Sequence, residues 1–313
     1  MAVASRVRHF VSLGDLDPSQ LAHLLDVATT LKAERARREP YLRGRALAQI
    51  FEKPSLRTRL SFDVGMTELG GHSVYLSPQE VGLGRRESVA DVSRVVSRMV
   101  DAVVLRTNSH ETIEEFARYS SVPVINGLSD LSHPCQGLAD IFTIGERKGP
   151  ALRDVTIAYV GDGNNVLHSL MLAAVLRGAH MRAATPAGYE PLPRFRELAE
   201  RRARETGATL ELLNDPVAAV RDADVVYTDV WTSMGQEQEY ERRRRAFQGY
   251  QVNAELLRHA KPDAIVMHDL PAHRGEEITD DVMDGPQSAV FDQAENRLHA
   301  QKAVLRWLLE GRS

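Results

Sequence analysis

Short β-branched and apolar runs alternate with helical patterns along the chain, and this alternation constrains the fold more than any other feature. In the longer segments between the runs, apolar residues recur at helical spacing. Such alternation favours α/β architecture, in which helices cover parallel sheets. The runs that we predict as strands are Leu47–Phe51, Ser73–Leu76, Ala102–Leu105, Val122–Ile125, Thr156–Val160, Met181–Ala184, Val225–Thr228, Ala264–Met267 and Ala289–Phe291.

The predicted strands fall into two groups, which indicates two domains. Gly149-Pro150 follows the helical pattern His133–Lys148 and is typical of a linker, with four predicted strands before it and five after it. A chain of 313 residues is long enough for two cores of ordinary size. We therefore predict two doubly wound parallel-sheet domains joined by helices, residues 1–149 and 150–294. A terminal helix at about 295–313 is expected to return to the first domain.

Composition and charge argue against several classes of protein. The net charge of −4 indicates no polyanion partner, and the arginine-rich stretches 35–38 and 242–245 lie beside acidic residues, so we interpret them as solvated helix faces. A single cysteine, Cys135, excludes an intrachain disulfide framework and any multi-cysteine metal site. Residues 1–10 lack the apolar core of a signal peptide, and no run reaches the roughly 20 apolar residues of a membrane span. We expect a soluble, cytoplasmic protein without nucleic-acid or membrane partners.

The segment Ser55-Leu56-Arg57-Thr58-Arg59 joins the first predicted strand to a helical pattern and predicts an anion site. Backbone N–H groups at a helix start, two hydroxyls and two guanidinium groups offer more donors than one carboxylate uses, which favours phosphate. Taken alone, the same segment is also typical of a capped helix with a solvated basic first turn.

Polar residues also follow the predicted strand Thr156–Val160, in the turn Gly161-Asp162-Gly163-Asn164-Asn165. One interpretation is a nicotinamide-binding turn, although Val166 stands where the third glycine of that motif belongs. The other is that Asn165, which has both a donor and an acceptor, faces a ligand with the two charges of an amino acid.

A histidine and an arginine mark two further candidate positions in the first half. His133 opens a helix, where a neutral imidazole can polarise a carbonyl group, although a packed histidine that caps a loop fits the same position. Arg106 ends a predicted strand and either faces a ligand or lies on the surface. For Cys135 an inert buried thiol is favoured over a nucleophile.

Two motifs follow predicted strands in the second half. Asp229 can hold an α-ammonium group, while backbone amides beside Ser233 and Met234 can hold a carboxylate. His268 and His273 lie five residues apart across a proline-containing loop, a spacing without the context of a metal site, so no metal is predicted.

Five motifs, in one order over nearly the whole chain, resemble those of the aspartate/ornithine carbamoyltransferase family. The Ser-Met-Gly loop is similar to that of the ornithine-using members rather than the aspartate-using ones. The motifs are Phe51-Glu52-Lys53-Pro54-Ser55-x-Arg57-Thr58-Arg59, His133-Pro134-Cys135-Gln136, Gly161-Asp162-Gly163-Asn164-Asn165, Asp229-x-x-x-Ser233-Met234-Gly235-Gln236-Glu237 and His268-x-Leu270-Pro271-Ala272-His273-Arg274-Gly275.

This resemblance implies an activity and an assembly. The activity would be carbamoyl transfer from carbamoyl phosphate to the δ-amine of L-ornithine, giving L-citrulline and phosphate, as in arginine biosynthesis. The resemblance implies a carbamoyl-phosphate domain first and an amino-acid domain second, with no cofactor and no metal. It also implies a homotrimer, or a multiple of trimers, with active sites near subunit interfaces.

Roles for individual residues follow from the same resemblance. Leu56 would act through its backbone amide. Carbamoyl phosphate would be held by Ser55, Leu56, Arg57, Thr58, Arg106, His133, Gln136, Leu270 and Arg297. Ornithine would be held by Asn165, Asp229, Ser233 and Met234. Catalysis would depend on Arg106, His133, Asp269 and Arg297, with the arginines and His133 stabilising the charge that gathers on the carbamoyl oxygen.

Two positions depart from the family pattern. Asp269 replaces the cysteine of His-Cys-Leu-Pro, and Gly82 stands where many members have a glutamine that reaches a neighbouring subunit's phosphate, a contact that Arg85 or Arg86 would have to replace. An ionised Asp269 would favour the unreactive ammonium form of the amine and repel phosphate. Alternatively, burial near Asp229 favours its protonated form, the acceptor is an amine other than ornithine, or the residue is an engineered replacement. A catalytically weakened homologue that binds carbamoyl phosphate also fits the sequence.

Overall fold

The computed structural model describes residues 7–233 and 235–310 and divides into two compact units. Unit 1 comprises the described residues up to Leu138 together with those from Arg297 onward, and unit 2 comprises Ala139–Asn296. The division falls inside a helix, earlier in the chain than the Gly149-Pro150 linker that the sequence predicts.

A parallel sheet forms the centre of unit 1. Its strands in the described chain are β1 (Ala46–Phe51), β2 (His72–Leu76), β3 (Ala102–Arg106) and β4 (Val124–Leu128). They lie in the order β2-β1-β3-β4, so the direction of winding reverses between β1 and β3. Doubly wound sheets bind their ligands at this switch point, beyond the carboxyl ends of the strands.

Helices cover this sheet, and apolar side chains fill the space between the layers. The helices are α1 (Pro18–Ala33), α2 (Leu56–Glu68), α3 (Pro78–Val81), α4 (Val89–Val96) and α5 (His110–Tyr119), and α6 (Pro134–Lys148) begins in unit 1 and ends in unit 2. Every residue of β3 is buried, as expected for a central parallel strand covered on both faces. Val103 and Leu105 of β3 belong to the same buried cluster as Ile113 and Phe116 of α5.

Unit 2 repeats this plan with one more strand. Its strands in the described chain are β5 (Thr156–Val160), β6 (His180–Ala184), β7 (Leu210–Leu213), β8 (Val225–Thr228) and β9 (Ile265–His268). They are parallel and lie in the order β7-β6-β5-β8-β9, with the switch point between β5 and β8. Its helices are α7 (Asn165–Leu176), α8 (Pro193–Thr206), α9 (Pro216–Val220), α10 (Tyr240–Ala246), α11 (Ala254–Leu257) and α12 (Asp280–Met283), followed by α13 (Val290–Leu309), which continues into unit 1.

The two parallel sheets with flanking helices confirm the predicted α/β class, but one predicted strand is wrong and one strand was not predicted. Residues 289–291 were predicted as a strand, but Ser288 forms an isolated bridge to Val266 and α13 begins at Val290. The strand β7 was missed, since its half-buried residues surround the exposed Glu211. None of the helices in the described part of the chain combines the length and the apolar run that a bilayer crossing requires.

Candidate functional site

The polar residues of unit 1 gather at the switch point of its sheet. The chain leaves β1 at Phe51 and enters α2 at Leu56, with Ser55 extended at the N-cap position (φ −157°, ψ 112°). Within the described chain the Ser55 side chain makes no capping hydrogen bond, so the interpretation of a serine-capped helix is wrong. The helix start therefore presents backbone N–H groups and a serine hydroxyl together, as an anion site requires.

Arg297 of α13 connects three segments of unit 1. Its side chain is buried and donates from Nη2 to Thr58 Oγ1 at 3.0 Å, from Nη1 to Gln136 Oε1 at 2.6 Å and from Nε to Gln301 Oε1 at 3.1 Å. The same Gln301 oxygen accepts the Ser61 hydroxyl at 2.9 Å. The start of α2, the start of α6 and the middle of α13 are thus held by one guanidinium group.

His133 lies buried in this cationic surrounding, just before α6. Burial, together with the nearby charges of Arg297, Arg106 and Arg57, holds the pKa of His133 well below its usual range. The imidazole is therefore neutral at physiological pH and carries a single N–H that can donate to an oxygen. Arg106, also buried, ends β3, where the pairing with β4 shifts register between Leu105 and Arg106. The surface alternative for Arg106 is thus wrong.

Cys135 and the loop around Gly82 complete the predicted features of unit 1. Burial raises the pKa of the Cys135 thiol to about 12, and the thiol donates to the Asn126 carbonyl at 3.4 Å, as expected for an inert cysteine. Gly82 ends α3 in the left-handed region (φ 57°), and a Cβ there would come within 2.6 Å of Arg86 Cβ. The Arg86 guanidinium donates to the Glu80 carbonyl at 3.1 Å, so its own loop holds it.

In unit 2 the turn after β5 and the end of β8 meet through Asn164 and Asp229. The Asn164 Oδ1 atom accepts the N–H groups of Val166 and Leu167 and thereby caps α7, while its Nδ2 donates to Asp229 Oδ2 at 2.6 Å. Asn165, the residue singled out from the sequence, is the half-buried first residue of α7. Sequence reasoning missed Asn164, although an asparagine just before an apolar helical run is a recognised capping signal.

Two acidic side chains lie side by side in this unit. A carboxylate oxygen of Asp229 and one of Asp269 lie within 4.8 Å of each other. Asp229 is buried, and burial together with the adjacent Asp269 raises the pKa of Asp229 well above its usual range. Ionisation of both carboxyl groups at this separation is therefore unfavourable.

His268, at the end of β9, has both ring nitrogens engaged. Its Nδ1 accepts the N–H of Leu270 at 2.9 Å, so its Nε2 carries the proton and donates to Glu277 Oε1 at 3.0 Å. A nitrogen and two carboxylate oxygens of His268, Asp229 and Asp269 lie within 4.8 Å of one another. These three residues do not fit a metal ion, because the imidazole has no lone pair left for one.

The remaining predicted ornithine contacts lie in the loop after β8. The Ser233 N–H donates to Gln236 Oε1 at 3.1 Å, whereas Met234 lies outside the described residues. Leu270, predicted to contact carbamoyl phosphate, belongs to unit 2 and has a positive φ of 60°. The structure thus places the predicted residues in two groups, a cationic one in unit 1 and an acidic one in unit 2.

Two family models match almost the entire chain. The carbamoyl-P binding domain of aspartate/ornithine carbamoyltransferase matches residues 8–146, and the Asp/Orn binding domain of the same family matches residues 153–308. This chain belongs to the aspartate/ornithine carbamoyltransferase family. The family resemblance inferred from the five motifs is therefore confirmed.

Relatives within the carbamoyltransferase family match over their full length. The chain is 55% identical over 313 residues to an ornithine carbamoyltransferase of Pyrococcus abyssi, covering 99% of this chain and 98% of the relative. It is 57% identical over 305 residues to one of Archaeoglobus fulgidus, covering 97% and 98%. Among solved structures, the ornithine carbamoyltransferase from Pyrococcus furiosus superposes with a TM-score of 0.95 at 54% identity, covering 98% of each chain.

Proposed function

We propose that this chain is an ornithine carbamoyltransferase, which transfers the carbamoyl group of carbamoyl phosphate to the δ-amine of L-ornithine. The observation that carries the proposal is the neutral, buried His133 among three arginines, inside the segment that matches a carbamoyl-phosphate-binding domain. Full-length relatives with this name at about 55% identity support ornithine as the acceptor. One of them, from Pyrococcus furiosus, is named as anabolic, which favours net synthesis of citrulline.

Unit 1 is proposed to bind carbamoyl phosphate. The hydroxyls of Ser55 and Thr58, the Leu56 amide and the Arg57 guanidinium would hold the phosphate at the start of α2. The carbamoyl oxygen would accept hydrogen bonds from Arg106, His133 and Arg297. Gln136 would orient the carbamoyl NH₂ group.

This arrangement favours the transition state over the bound substrate. As the δ-amine nitrogen bonds to the carbamoyl carbon, negative charge would build on the carbamoyl oxygen, and the buried Arg106, Arg297 and His133 N–H would stabilise it. The bond between that carbon and the phosphate oxygen then breaks. Phosphate leaves toward the α2 start, and the proton lost by the amine is transferred to it.

Unit 2 is proposed to bind ornithine. Asn165, Asp229, Ser233 and Met234 would hold the α-amino and α-carboxylate groups. Asp269 would lie beside the amine. Burial and the adjacent Asp269 raise the pKa of Asp229, and a protonated Asp229 would lessen the repulsion of phosphate that two ionised carboxylates would cause. An ionised Asp269 would still favour the ammonium form of the amine.

A homotrimer, or a multiple of trimers, is proposed as the assembly. Large apolar side chains remain exposed in unit 1, with Leu56 at 74% and Met99 at 75%, and with Leu60 one turn after Leu56 on α2. Apolar exposure of this kind is typical of surfaces that another subunit covers. Light scattering after size-exclusion chromatography should give the mass of three chains or a multiple of it, and a monomer would contradict the proposal.

We also propose a reducing cytoplasm as the location of the protein. Its one cysteine, Cys135, is buried with its thiol hydrogen-bonded, so nothing in its cysteine usage requires an oxidising compartment.

A citrulline-forming assay with a panel of amine acceptors tests the activity. We expect turnover with L-ornithine and little with shorter or longer diamino acids, since chain length sets the distance between the α-groups and the reacting nitrogen. Preference for another amine would indicate a carbamoyltransferase of the same family with a different acceptor. Carbamoyl-phosphate binding without turnover of any amine would instead indicate a binding homologue.

The order of substrate binding gives a second test of the same proposal. Carbamoyl phosphate is expected to bind first, because it would complete the surface that receives ornithine. Calorimetry should show ornithine binding only when carbamoyl phosphate or an unreactive analogue is present. Tight ornithine binding to the free protein would argue against this order.

A further inference from the structure

One arginine of the basic stretch 242–245 is not on the solvated face that the sequence predicts. Arg243 on α10 is only 7% exposed, whereas its neighbours Arg242, Arg244 and Arg245 are exposed. A buried guanidinium group is costly unless its donors are satisfied, so its contacts show what the burial achieves.

Arg243 contacts three segments besides its own helix. Its Nη1 lies 2.9 Å from Asp162 Oδ2 and donates to the Trp231 carbonyl at 3.0 Å, and its guanidinium carbon lies 5.0 Å from the centre of the Tyr189 ring. Its Nε donates to Glu239 Oε2 at 3.0 Å, at the start of α10. One side chain thus forms an ion pair, a backbone hydrogen bond and a cation–π contact.

These contacts lie at the carboxyl ends of three adjacent strands. Asp162 follows β5, Tyr189 lies in the connection after β6, and Trp231 follows β8. The first two segments also contact each other tightly, because the Gly163 N–H donates to the Tyr189 carbonyl at 2.8 Å and a Cβ on Gly163 would come within 2.3 Å of the Glu190 backbone. Arg243 therefore ties together the turns at the switch point of unit 2.

The residues proposed to recognise the amino acid lie directly beside these tied positions. Asn165 comes three residues after Asp162, and Asp229 comes two residues before Trp231. The Asn164–Asp229 hydrogen bond of 2.6 Å joins the same two turns. A shift of either turn would therefore separate groups that must meet the substrate's α-amino group together.

The charge of Arg243, like its contacts, affects the environment of Asp229. Asp162 is nearly buried and lies within electrostatic reach of Asp229, and Arg243 supplies the opposing charge. Without the guanidinium, either Asp162 takes up a proton or a second buried negative charge remains beside Asp229. Both outcomes change the environment of the group proposed to bind the α-ammonium.

We propose that Arg243 is a positioning residue for the amino-acid substrate, which holds the β5 and β8 turns, through Asp162 and the Trp231 carbonyl, in the arrangement that ornithine recognition needs. The inference rests on the proposed ornithine carbamoyltransferase activity and assigns a role to a residue outside the five motifs. Arg243 acts through Asn164 and Asp229 rather than by touching the reacting atoms.

The test compares Arg243→Gln with Arg242→Gln, since Arg242 is the adjacent exposed arginine and pairs with the same Glu239 at 3.2 Å. Citrulline formation by the unaltered protein comes first, and its absence would refute the proposed function rather than this inference. In Arg243→Gln the KM for ornithine should rise at least tenfold while the KM for carbamoyl phosphate changes less than twofold. Arg242→Gln should have the same KM for ornithine and the same KM for carbamoyl phosphate as the unaltered protein.

Binding of L-norvaline in the presence of carbamoyl phosphate gives a readout independent of turnover. Norvaline has the α-groups and carbon chain of ornithine without the δ-amine, so its affinity reports recognition of the α-groups alone. Its dissociation constant should rise by about the same factor as the ornithine KM. Unchanged norvaline affinity in Arg243→Gln would overturn the proposal, as would equal losses for both substrates.

A second variant keeps the test decisive if Arg243→Gln fails to fold. The double variant Asp162→Asn with Arg243→Gln removes both charges and leaves no unpaired buried ion. We expect it to fold, to bind carbamoyl phosphate normally and to retain a raised ornithine KM, because an amide pair does not hold the Trp231 carbonyl and the Tyr189 ring as the guanidinium does. A normal ornithine KM in the double variant would refute the positioning role.

Discussion

The two units place opposite charges on the same scaffold. In unit 1 Arg57 follows β1 and Arg106 ends β3, and their charges help to keep the buried His133 neutral. In unit 2 the corresponding positions carry Asp162 and Asp229, and burial raises the pKa of both carboxyls. The parallel sheet fixes where a ligand binds, and the side chains that follow the strands decide whether that ligand's recognised group is an anion or a cation.

The largest effect should come from weakening the cationic side of this comparison. Arg57→Ala should weaken carbamoyl-phosphate binding by about 2–5 kcal/mol, roughly 30-fold to several thousand-fold, because one charge-assisted contact to a dianion is lost. Calorimetry with carbamoyl phosphate measures this loss directly.

Arg59→Ala is the matched control for Arg57→Ala. The Arg59 side chain instead stacks on the Tyr75 ring at 3.9 Å and pairs with Asp63 at 3.6 Å, about half-exposed. Its removal should change carbamoyl-phosphate affinity less than twofold. An unchanged affinity in Arg57→Ala would remove the basis of the phosphate assignment.

A smaller effect is expected on the acidic side, at Asp269. Asp269→Cys removes the negative charge that stabilises the ammonium form of the amine, so kcat with ornithine near pH 7 should rise several-fold. The rising limb of the pH–kcat profile should move to lower pH by about one unit, and Asp269→Asn should move it in the same direction. If both variants lose activity by orders of magnitude with ornithine affinity intact, Asp269 is an adapted catalytic base.

The neutral His133 predicts a modest dependence of stability on pH. Its pKa is lowered in the folded protein, so below about pH 6.5 the unfolded chain takes up a proton that the folded chain does not. The free energy of unfolding should therefore fall as pH decreases, and His133→Gln should lack this contribution. Urea unfolding at pH 7.5, 6.5 and 5.5 should show the difference between the two proteins changing by up to about 1.4 kcal/mol per pH unit. Parallel curves would mean that folding does not lower the pKa of His133.

The smallest effect is expected at Cys135, where the experiment tests whether the buried thiol is unreactive. Iodoacetamide should leave the folded protein unlabelled at pH 8, since burial raises the pKa of this thiol to about 12. Cys135→Ala should retain carbamoyl transfer, as measured by citrulline formation. Rapid labelling with loss of activity would show that the thiol is accessible and near the chemistry.

The sequence predicted the parts of the molecule that local patterns encode. The strand-to-helix joints at Ser55 and Gly161 were found, because strand ends followed by polar turns mark ligand positions in α/β sheets. By contrast, the edge strand β7 has neither an apolar run nor clear alternation. Local pattern also gave no reason to single out Arg243 from three neighbouring arginines, since its burial depends on segments that meet only in the folded chain.

For a similar reason, the sequence predicted the roles of Asn164 and of the Asp229–Asp269 pair only in part. The sequence placed Asp229 and Asp269 near one another as a possibility, but the raised pKa of Asp229 depends on the distance between groups 40 residues apart in the chain. Asn164 and Asn165 are chemically identical in sequence, and only the direction of α7 decides which of them caps the helix and which begins it.

The helix α13 has a consequence for any attempt to study one half of the protein alone. Its residues from Arg297 onward belong to unit 1, where Arg297 bonds Thr58 and Gln136, and where Lys302 pairs with the buried Glu68 at 2.7 Å. A gene truncated after Leu138 would encode neither cation and would leave the buried Glu68 carboxylate with Arg35 alone, at 3.0 Å. Unit 1 is therefore discontinuous in the gene, and a gene that encodes it in one piece would have to join the segment from Arg297 onward to the N-terminal segment, as in a circular permutant.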